Sequence, residues 1–338
     1  MKPVIFGVSG LELTAEERDF FRDADPLGYI LFKRNCESRA QMRALTDSLR
    51  ELSGRADLPI LIDQEGGRVS RMVPPEWPAF PAGEAFGRLY DVAPISAIEA
   101  ARANYHALAL MLAEVGVSVD AAPLLDVVQP EVTQAIGDRA FGGEPMRVAA
   151  LGKACLEGLR RGGVVGIVKH MPGHGRALVD SHLELPRVKV PAAALETDIA
   201  PFRALHDAPM GMTCHVVFEA WDAERPATLS PQVISEVIRG AIGFDGLLMT
   251  DDIDMKALSG TPGEKAGQAL AAGCDVVLDC WARMDEMIEI AALLPDATPQ
   301  CIDRLERAMA TTGADEPEAD FVELIAKRDE LLALAQPA

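Results

Sequence analysis

The sequence predicts an α/β fold, a single (β/α)8 TIM-type barrel spanning residues 1–338. Three observations carry this. Eight short, apolar, β-branched segments recur along the chain, helical patterns separate them, and the third, fourth and fifth are followed by much longer loops than the others. The length of 338 residues also suits such a barrel, since the class runs from about 200 to more than 400 residues.

The eight strand segments are Val4–Val8, Gly28–Phe32, Pro59–Asp63, Val117–Ala122, Val165–His170, Met210–His215, Leu247–Asp251 and Asp275–Asp279. Their apolarity is continuous rather than alternating, as in parallel strands covered on both faces. A doubly wound open sheet shares this local signature. Helix starts are marked by Thr14-Ala15-Glu16-Glu17 and Ser38-Arg39-Ala40-Gln41, both of which fit the capping box. Further helices are expected at Ala97–Val115, from Pro145 to the Gly162-Gly163 stop, and near Ala194–His206, Pro231–Ala241, Pro262–Ala272 and Arg283–Leu294. Two more, near Pro299–Met309 and Ala319–Leu334, place C-terminal helices over about 298–335 against the barrel. No linker, repeat or low-complexity segment divides the chain.

A hydrophobic content of 49% with 25% charged residues is globular composition. The formal charge of −20 repels phosphate backbones and anionic lipids, which argues against nucleic-acid and membrane-surface partners. A small-molecule partner is expected, and monomer and homodimer both remain open. None of the six cysteines forms a C-x-x-C pair, and the pattern is not a secreted disulfide framework. Met1–Gly7 enters a strand with no signal-peptide pattern, and no apolar run approaches the roughly 20 residues of a membrane helix. A cytoplasmic location follows as the expectation.

The long segments Gln64–Leu89, Pro123–Glu144 and Met171–Leu195 all follow a strand, on the face where barrels keep their active sites. They hold most of the unusual polar residues. Lys169-His170-Met171-Pro172-Gly173-His174-Gly175, with Asp180-Ser181-His182 downstream, is the densest group. Three chemistries fit it. His170, His174, Asp180 and His182 could hold a metal, although their spacing matches no standard motif. Lys169 could form a Schiff base. Alternatively, Lys169 and His170 bind substrate, while Asp180 orients His182 as a proton carrier.

Asp63-Gln64-Glu65-Gly66-Gly67-Arg68-Val69-Ser70-Arg71 could grip sugar hydroxyls with its carboxylates and guanidinium groups, or form a structural turn with internal ion pairs. Asp251, in Thr250-Asp251-Asp252, would face the barrel mouth as nucleophile, metal ligand or base, whereas Asp252 could cap the next helix. Arg139 could be a ligand, or pair with Asp138 or another loop acid. His215 reads as a satisfied core histidine.

Together these residues resemble the family 3 glycoside hydrolases, in particular the bacterial β-N-acetylglucosaminidases of peptidoglycan recycling that consist of the barrel alone. The resemblance rests on Asp63–Arg71, Ile136–Gly142, Lys169–Gly175, Asp180–His182 and Thr250-Asp251. Met171 stands where the family more often has Phe, and Arg176-Ala177 where it has an acidic residue and Thr. The resemblance implies a retaining reaction with Asp251 as nucleophile and His182, oriented by Asp180, as general acid/base. Asp63, Arg71, Arg139, Lys169 and His170 would hold a nonreducing N-acetylglucosamine, with no metal and no cofactor. The implied substrate is N-acetylglucosamine β-1,4-linked to (anhydro-)N-acetylmuramic acid. A β-glucosidase or xylosidase of the same family, a metal-dependent barrel hydrolase and an inactive sugar-binding protein are the alternatives.

Overall fold

The computed structural model describes residues 1–130, 133–312 and 319–335. Eight parallel strands close into a barrel: β1 (Lys2–Gly7), β2 (Pro26–Leu31), β3 (Ile60–Ile62), β4 (Val119–Asp120), β5 (Val165–Met171), β6 (Met210–Thr213), β7 (Leu247–Asp252) and β8 (Val276–Asp279). Each strand pairs with its neighbour in sequence, and β1 closes on β8 with Val4 opposite Val277 and Phe6 opposite Asp279. The closed barrel decides between the two architectures that the alternation of strands and helices allowed. Residues 131–132, within the expected Pro123–Glu144 loop, and the chain end at 336–338 lie outside the described residues.

The continuous apolarity of the strands now has a cause. Successive side chains point to opposite faces of a strand, and here both faces are buried. Ile5, Leu61, Val119, Val165, Ile167, Met212 and Met249 fill the barrel interior. Their neighbours Val4, Ile60, Ile62, Val168 and Leu248 join the second core between barrel and helices. The interior core continues into Cys301, Leu305 and Met309 of the helix Pro299–Met309, which forms its floor. Arg304 fixes that helix by donating to Asp275 at 2.8 Å and Asp245 at 2.6 Å, both just ahead of barrel strands.

Most expected helices stand at or near their predicted bounds, with informative differences. Part of the Gln64–Leu89 segment is helical, at Gly83–Val92. Glycine disfavours helix, but Gly83 and Gly87 let this one lie on the backbone of 139–141: a Cβ at either would sit 2.2 Å from a carbonyl oxygen, of Arg139 or Phe141. The next helix is Pro94–Glu114, starting at its proline rather than at Ala97. The segment Val233–Ile242 is π-helical. Thr14 and Glu17 form the full capping box, whereas only half of the second exists: Ser38 accepts from Gln41 N, and the Gln41 amide oxygen accepts from Glu37 N. A two-residue parallel ribbon, Arg187–Val188 with Val217–Phe218, lies outside the barrel. No helix among the described residues is long and apolar enough to cross a membrane.

Because Ile167 is fully buried in the interior core, Ile167→Ala should lower unfolding stability by about 2–5 kcal/mol. Urea denaturation followed by circular dichroism would measure it.

Candidate active site

The period of two along a strand also places the site. Leu61, Ile167 and Met249 face the barrel interior, so Asp63, Lys169 and Asp251, each two residues further on, continue those inward rows to the carboxyl-end mouth. Two ion networks are assembled around them.

The first is centred on Lys169, which is only 2% exposed. Its ammonium lies 3.1 Å from Asp63 Oδ1 and 2.7 Å from Glu65 Oε1. Arg71 donates to Asp63 Oδ2 at 3.1 Å, and Arg139 holds Glu65 through Nε at 2.8 Å and Nη2 at 2.7 Å. Three cations thus face two carboxylates. Burial alone would raise both acids, but the surrounding cations win: Asp63 is held below the usual carboxylate range by Lys169 and Arg71, and Glu65 is brought down to about 2 by Arg139 and Lys169. Burial would lower Lys169, but Glu65 and Asp63 raise it. A Schiff-base lysine must lose its proton; this ammonium is pinned in the charged form, which favours the ligand role over the Schiff base.

Gln64 shapes the loop that carries Arg71. Its amide oxygen accepts from Arg71 N at 2.8 Å and Met72 N at 3.1 Å, and its amide nitrogen donates to Met72 O. The Gln64 backbone N–H in turn donates to Asp120 Oδ1 at 3.0 Å. Asp138 pairs with Arg68 at 2.9 Å, so the loop acid that binds Arg139 is Glu65.

The second network is centred on Asp126, which is fully buried. Asp126 Oδ1 accepts the backbone N–H of His170 at 3.2 Å and of His174 at 2.6 Å, while Oδ2 lies 2.7 Å from His170 Nδ1. Burial would raise Asp126, but His170 and His174 bring it down to about 2. Fixing Nδ1 directs the opposite ring nitrogen of His170 outward as a hydrogen-bonding group. Burial lowers the His174 imidazole to about 4, and its Nε2 lies 3.4 Å from Ser181 Oγ.

Asp251 and Asp252 are neighbours with opposite tendencies. Burial would raise Asp251, but the His170 and His215 rings and the Asp252 N–H, donating at 2.8 Å, hold it below its ordinary value. Burial pushes Asp252 up to about 6. Asp252 accepts from Asp254 N and caps no helix, since the next one begins at Pro262. His215 is fully buried, with Nδ1 2.8 Å from Thr228 Oγ1 and Nε2 2.9 Å from Asp252 O, a satisfied core histidine.

Asp180 and His182 meet on the loop after β5. Asp180 Oδ1 accepts the His182 backbone N–H at 2.9 Å and lies 2.7 Å from Nδ1. His182 is the most open member of the site, its side chain 66% exposed. Between them the buried Ser181 anchors the loop, its carbonyl accepting from Ala257 N, beyond β7, at 3.2 Å. The four residues of the metal hypothesis are therefore divided: His170 belongs to Asp126, His174 faces Ser181, and Asp180 with His182 form their own pair. Among the described residues, no group of three or more His, Cys, Asp or Glu is placed to hold a metal ion.

The model for the glycosyl hydrolase family 3 N-terminal domain matches residues 8–311. The chain belongs to glycoside hydrolase family 3. The beta-hexosaminidase of Chromobacterium violaceum is 38% identical over 343 residues, covering 99% of this chain and 93% of that protein. The crystal structure of native NagZ from Neisseria gonorrhoeae superposes with a TM-score of 0.87 at 32% identity, covering 99% and 98% of the two chains. The same protein in complex with N-trifluoroacetyl-D-glucosamine gives a TM-score of 0.86 at 31% identity, with the same coverage.

Glu65 and Asp126 carry the two networks of this family 3 site; the sequence reaches Glu65 only as one carboxylate of the Asp63–Arg71 segment and gives no role to Asp126. Asp126 did leave a signal, a lone acid within Leu124-Leu125-Asp126-Val127-Val128. Glu65→Ala would leave the buried Arg139 without its carboxylate and Lys169 with Asp63 alone, so a stability loss of about 3–5 kcal/mol is expected in urea denaturation at neutral pH. Glu65 and Asp126 are both depressed to about 2 in the folded chain, against about 4.3 and 3.9 unfolded. Their contribution is therefore complete above about pH 4.3 and lost as pH falls toward about 2. Urea midpoints measured across this window should drop steeply for the native chain and less steeply for Glu65→Gln.

Proposed function

We propose that this family 3 enzyme is a retaining exo-β-N-acetylglucosaminidase that releases nonreducing N-acetylglucosamine from (anhydro-)N-acetylmuramic acid muropeptides during peptidoglycan recycling. The coarser statement, a glycoside hydrolase of the β-N-acetylhexosaminidase class, follows from family membership and the beta-hexosaminidase relatives. One observation carries the finer mechanism. Asp251, favoured as the carboxylate, stands at the mouth while a carboxylate–imidazole pair, Asp180–His182, stands on a loop tied to the segment beyond it.

In the first step Asp251 attacks the anomeric carbon as the bond to the leaving oxygen breaks, and His182 gives that oxygen its proton. In the second, His182 takes a proton from water, whose oxygen displaces Asp251 and regenerates the carboxylate. A histidine replaces one of the two carboxylates that most such hydrolases use, and an imidazole nitrogen can both give and take a proton, as the two halves require. Asp180 fixes the ring tautomer and supports the imidazolium. Asp63, Arg71, Arg139, Lys169 and His170 hold the sugar, Arg139 also fixing Glu65 against Lys169. The six cysteines are all free thiols, five of them buried, which supports a reducing, cytoplasmic setting.

Asp251→Ala should abolish turnover with the far-ultraviolet circular dichroism unchanged. A 2-fluoro sugar should label Asp251 in the native enzyme, and an adduct on Asp252 in peptide mass mapping would refute the assignment. His182→Ala should lose about 10²–10⁴-fold on an unactivated disaccharide but far less in the glycosylation step with a dinitrophenyl glycoside, whose leaving group needs no proton. Pre-steady-state kinetics should then show the covalent intermediate accumulating. Equal losses on both substrates, with no intermediate, would reduce His182 to a positioning residue.

A further inference from the structure

Phe32 follows β2 directly and continues another inward row. Ile30, two residues earlier, is buried in the barrel interior, and the Phe32 ring packs against the same core. It therefore stands at the carboxyl-end mouth, a half-buried aromatic ring among charged groups. Its backbone is pinned on both sides: Phe32 N donates to Asn35 Oδ1 at 2.8 Å, and Phe32 O accepts from Asn35 N at 2.8 Å. Nothing in the mechanism above uses this ring.

Two guanidinium groups lie over it. Arg34 Cζ is 4.9 Å and Arg71 Cζ 5.1 Å from the ring centroid, both within the roughly 6 Å at which an aromatic face attracts a cation. Arg34 is committed elsewhere: its Nε donates to Val8 O at 2.9 Å and its Nη2 to Cys280 O, which tie it to the ends of β1 and β8. Arg71 is held less completely. Among the described residues its side chain donates one hydrogen bond, from Nη2 to Asp63 Oδ2 at 3.1 Å. Its Nε is buried with no hydrogen-bond partner. A buried donor in that state costs free energy, and the Phe32 ring against the guanidinium is the group that offsets it. One ion pair fixes only a corner of a flat cation; a contact on its face is needed to set its plane. The ring supplies that contact and occupies none of the remaining donors, Nη1 included.

We propose that Phe32 is a positioning residue of the sugar site: its ring sets the plane of the Arg71 guanidinium so that Nη1 can donate to a hydroxyl group of the bound sugar. The proposal rests on the reading of Arg71 as a ligand of the nonreducing sugar, and it names what holds that ligand in place.

The test compares Phe32→Leu, which keeps an apolar side chain but removes the aromatic face, with Phe32→Tyr, which keeps the face. On a nitrophenyl β-N-acetylglucosaminide, KM of Phe32→Leu should rise roughly two- to thirtyfold, the range of a cation–π contact, with kcat changed less. Phe32→Tyr should stay near the native values. Calorimetric titration of N-acetylglucosamine should show the same loss of affinity without catalysis. In an Arg71→Met background Phe32→Leu should cost nothing further, because both substitutions remove one interaction. A last readout needs no sugar. The Arg71 Nε–H resonance, identified in a ¹⁵N-arginine spectrum by its loss in Arg71→Met, should be shifted upfield by the ring in the native protein and move back in Phe32→Leu. Additive losses in the double variant, equal losses in the Leu and Tyr variants, or an unmoved Nε–H resonance would overturn the proposal. If Arg71→Met itself leaves KM unchanged, Arg71 is no ligand and the proposal falls with it, even where the Nε–H resonance reports the contact. If the native enzyme prefers a glucoside or xyloside, the N-acetylglucosaminidase reading falls, and the same comparison on that glycoside decides the role of Phe32.

Discussion

A buried ammonium must be surrounded by opposite charge, and at Lys169 this requirement organises the mouth of the barrel. Desolvating one charge costs several kcal/mol, which only close, well-aligned partners can offset. Lys169 finds them in Asp63 and Glu65 beyond β3, and these in turn draw in Arg71 and Arg139. The loops after β3 and β4 are thereby fixed to the end of β5. Fixed charges that need no reorganisation are what a sugar's hydroxyl groups and a developing transition-state charge can use.

Asp126 plays the corresponding part for the second half of the site. One carboxylate holds the His170 ring and also the backbone of both His170 and His174. His174 then meets Ser181, the residue between Asp180 and His182. The openness of His182 and the burial of Ser181 divide two duties within three residues: Ser181 anchors the loop, while its neighbours keep their side chains accessible. Asp251, proposed as the nucleophile, lies by contrast within strand β7.

Much of this was legible in the sequence because it is local or periodic. Strand positions followed from β-branched apolar runs, and the inward placement of Asp63, Lys169 and Asp251 from the alternation of side chains. Caps were readable where they close within one turn, as at Thr14, and less so at Ser38, where Gln41 had another backbone N–H in reach. Partnerships across long separations were not legible. Nothing near Arg139 in sequence shows that it binds Glu65, 74 residues away, rather than the adjacent Asp138. The helix Gly83–Val92 was hidden for a related reason: its glycines are disfavoured locally and justified only by a distant backbone lying against them.

The floor of the barrel imposes an order on the making of the molecule. Cys301, Leu305 and Met309 complete the interior core from a helix that follows all eight strands. During synthesis the earlier strands and helices emerge from the ribosome first, but the inner core stays open at its base until that helix follows. A nascent chain therefore carries an unsealed apolar interior for most of its translation, the kind of surface that chaperones shield and that aggregation exploits. Truncation from the C-terminal side through the helix Pro299–Met309 would leave every residue of the site present in a chain without the seal beneath them.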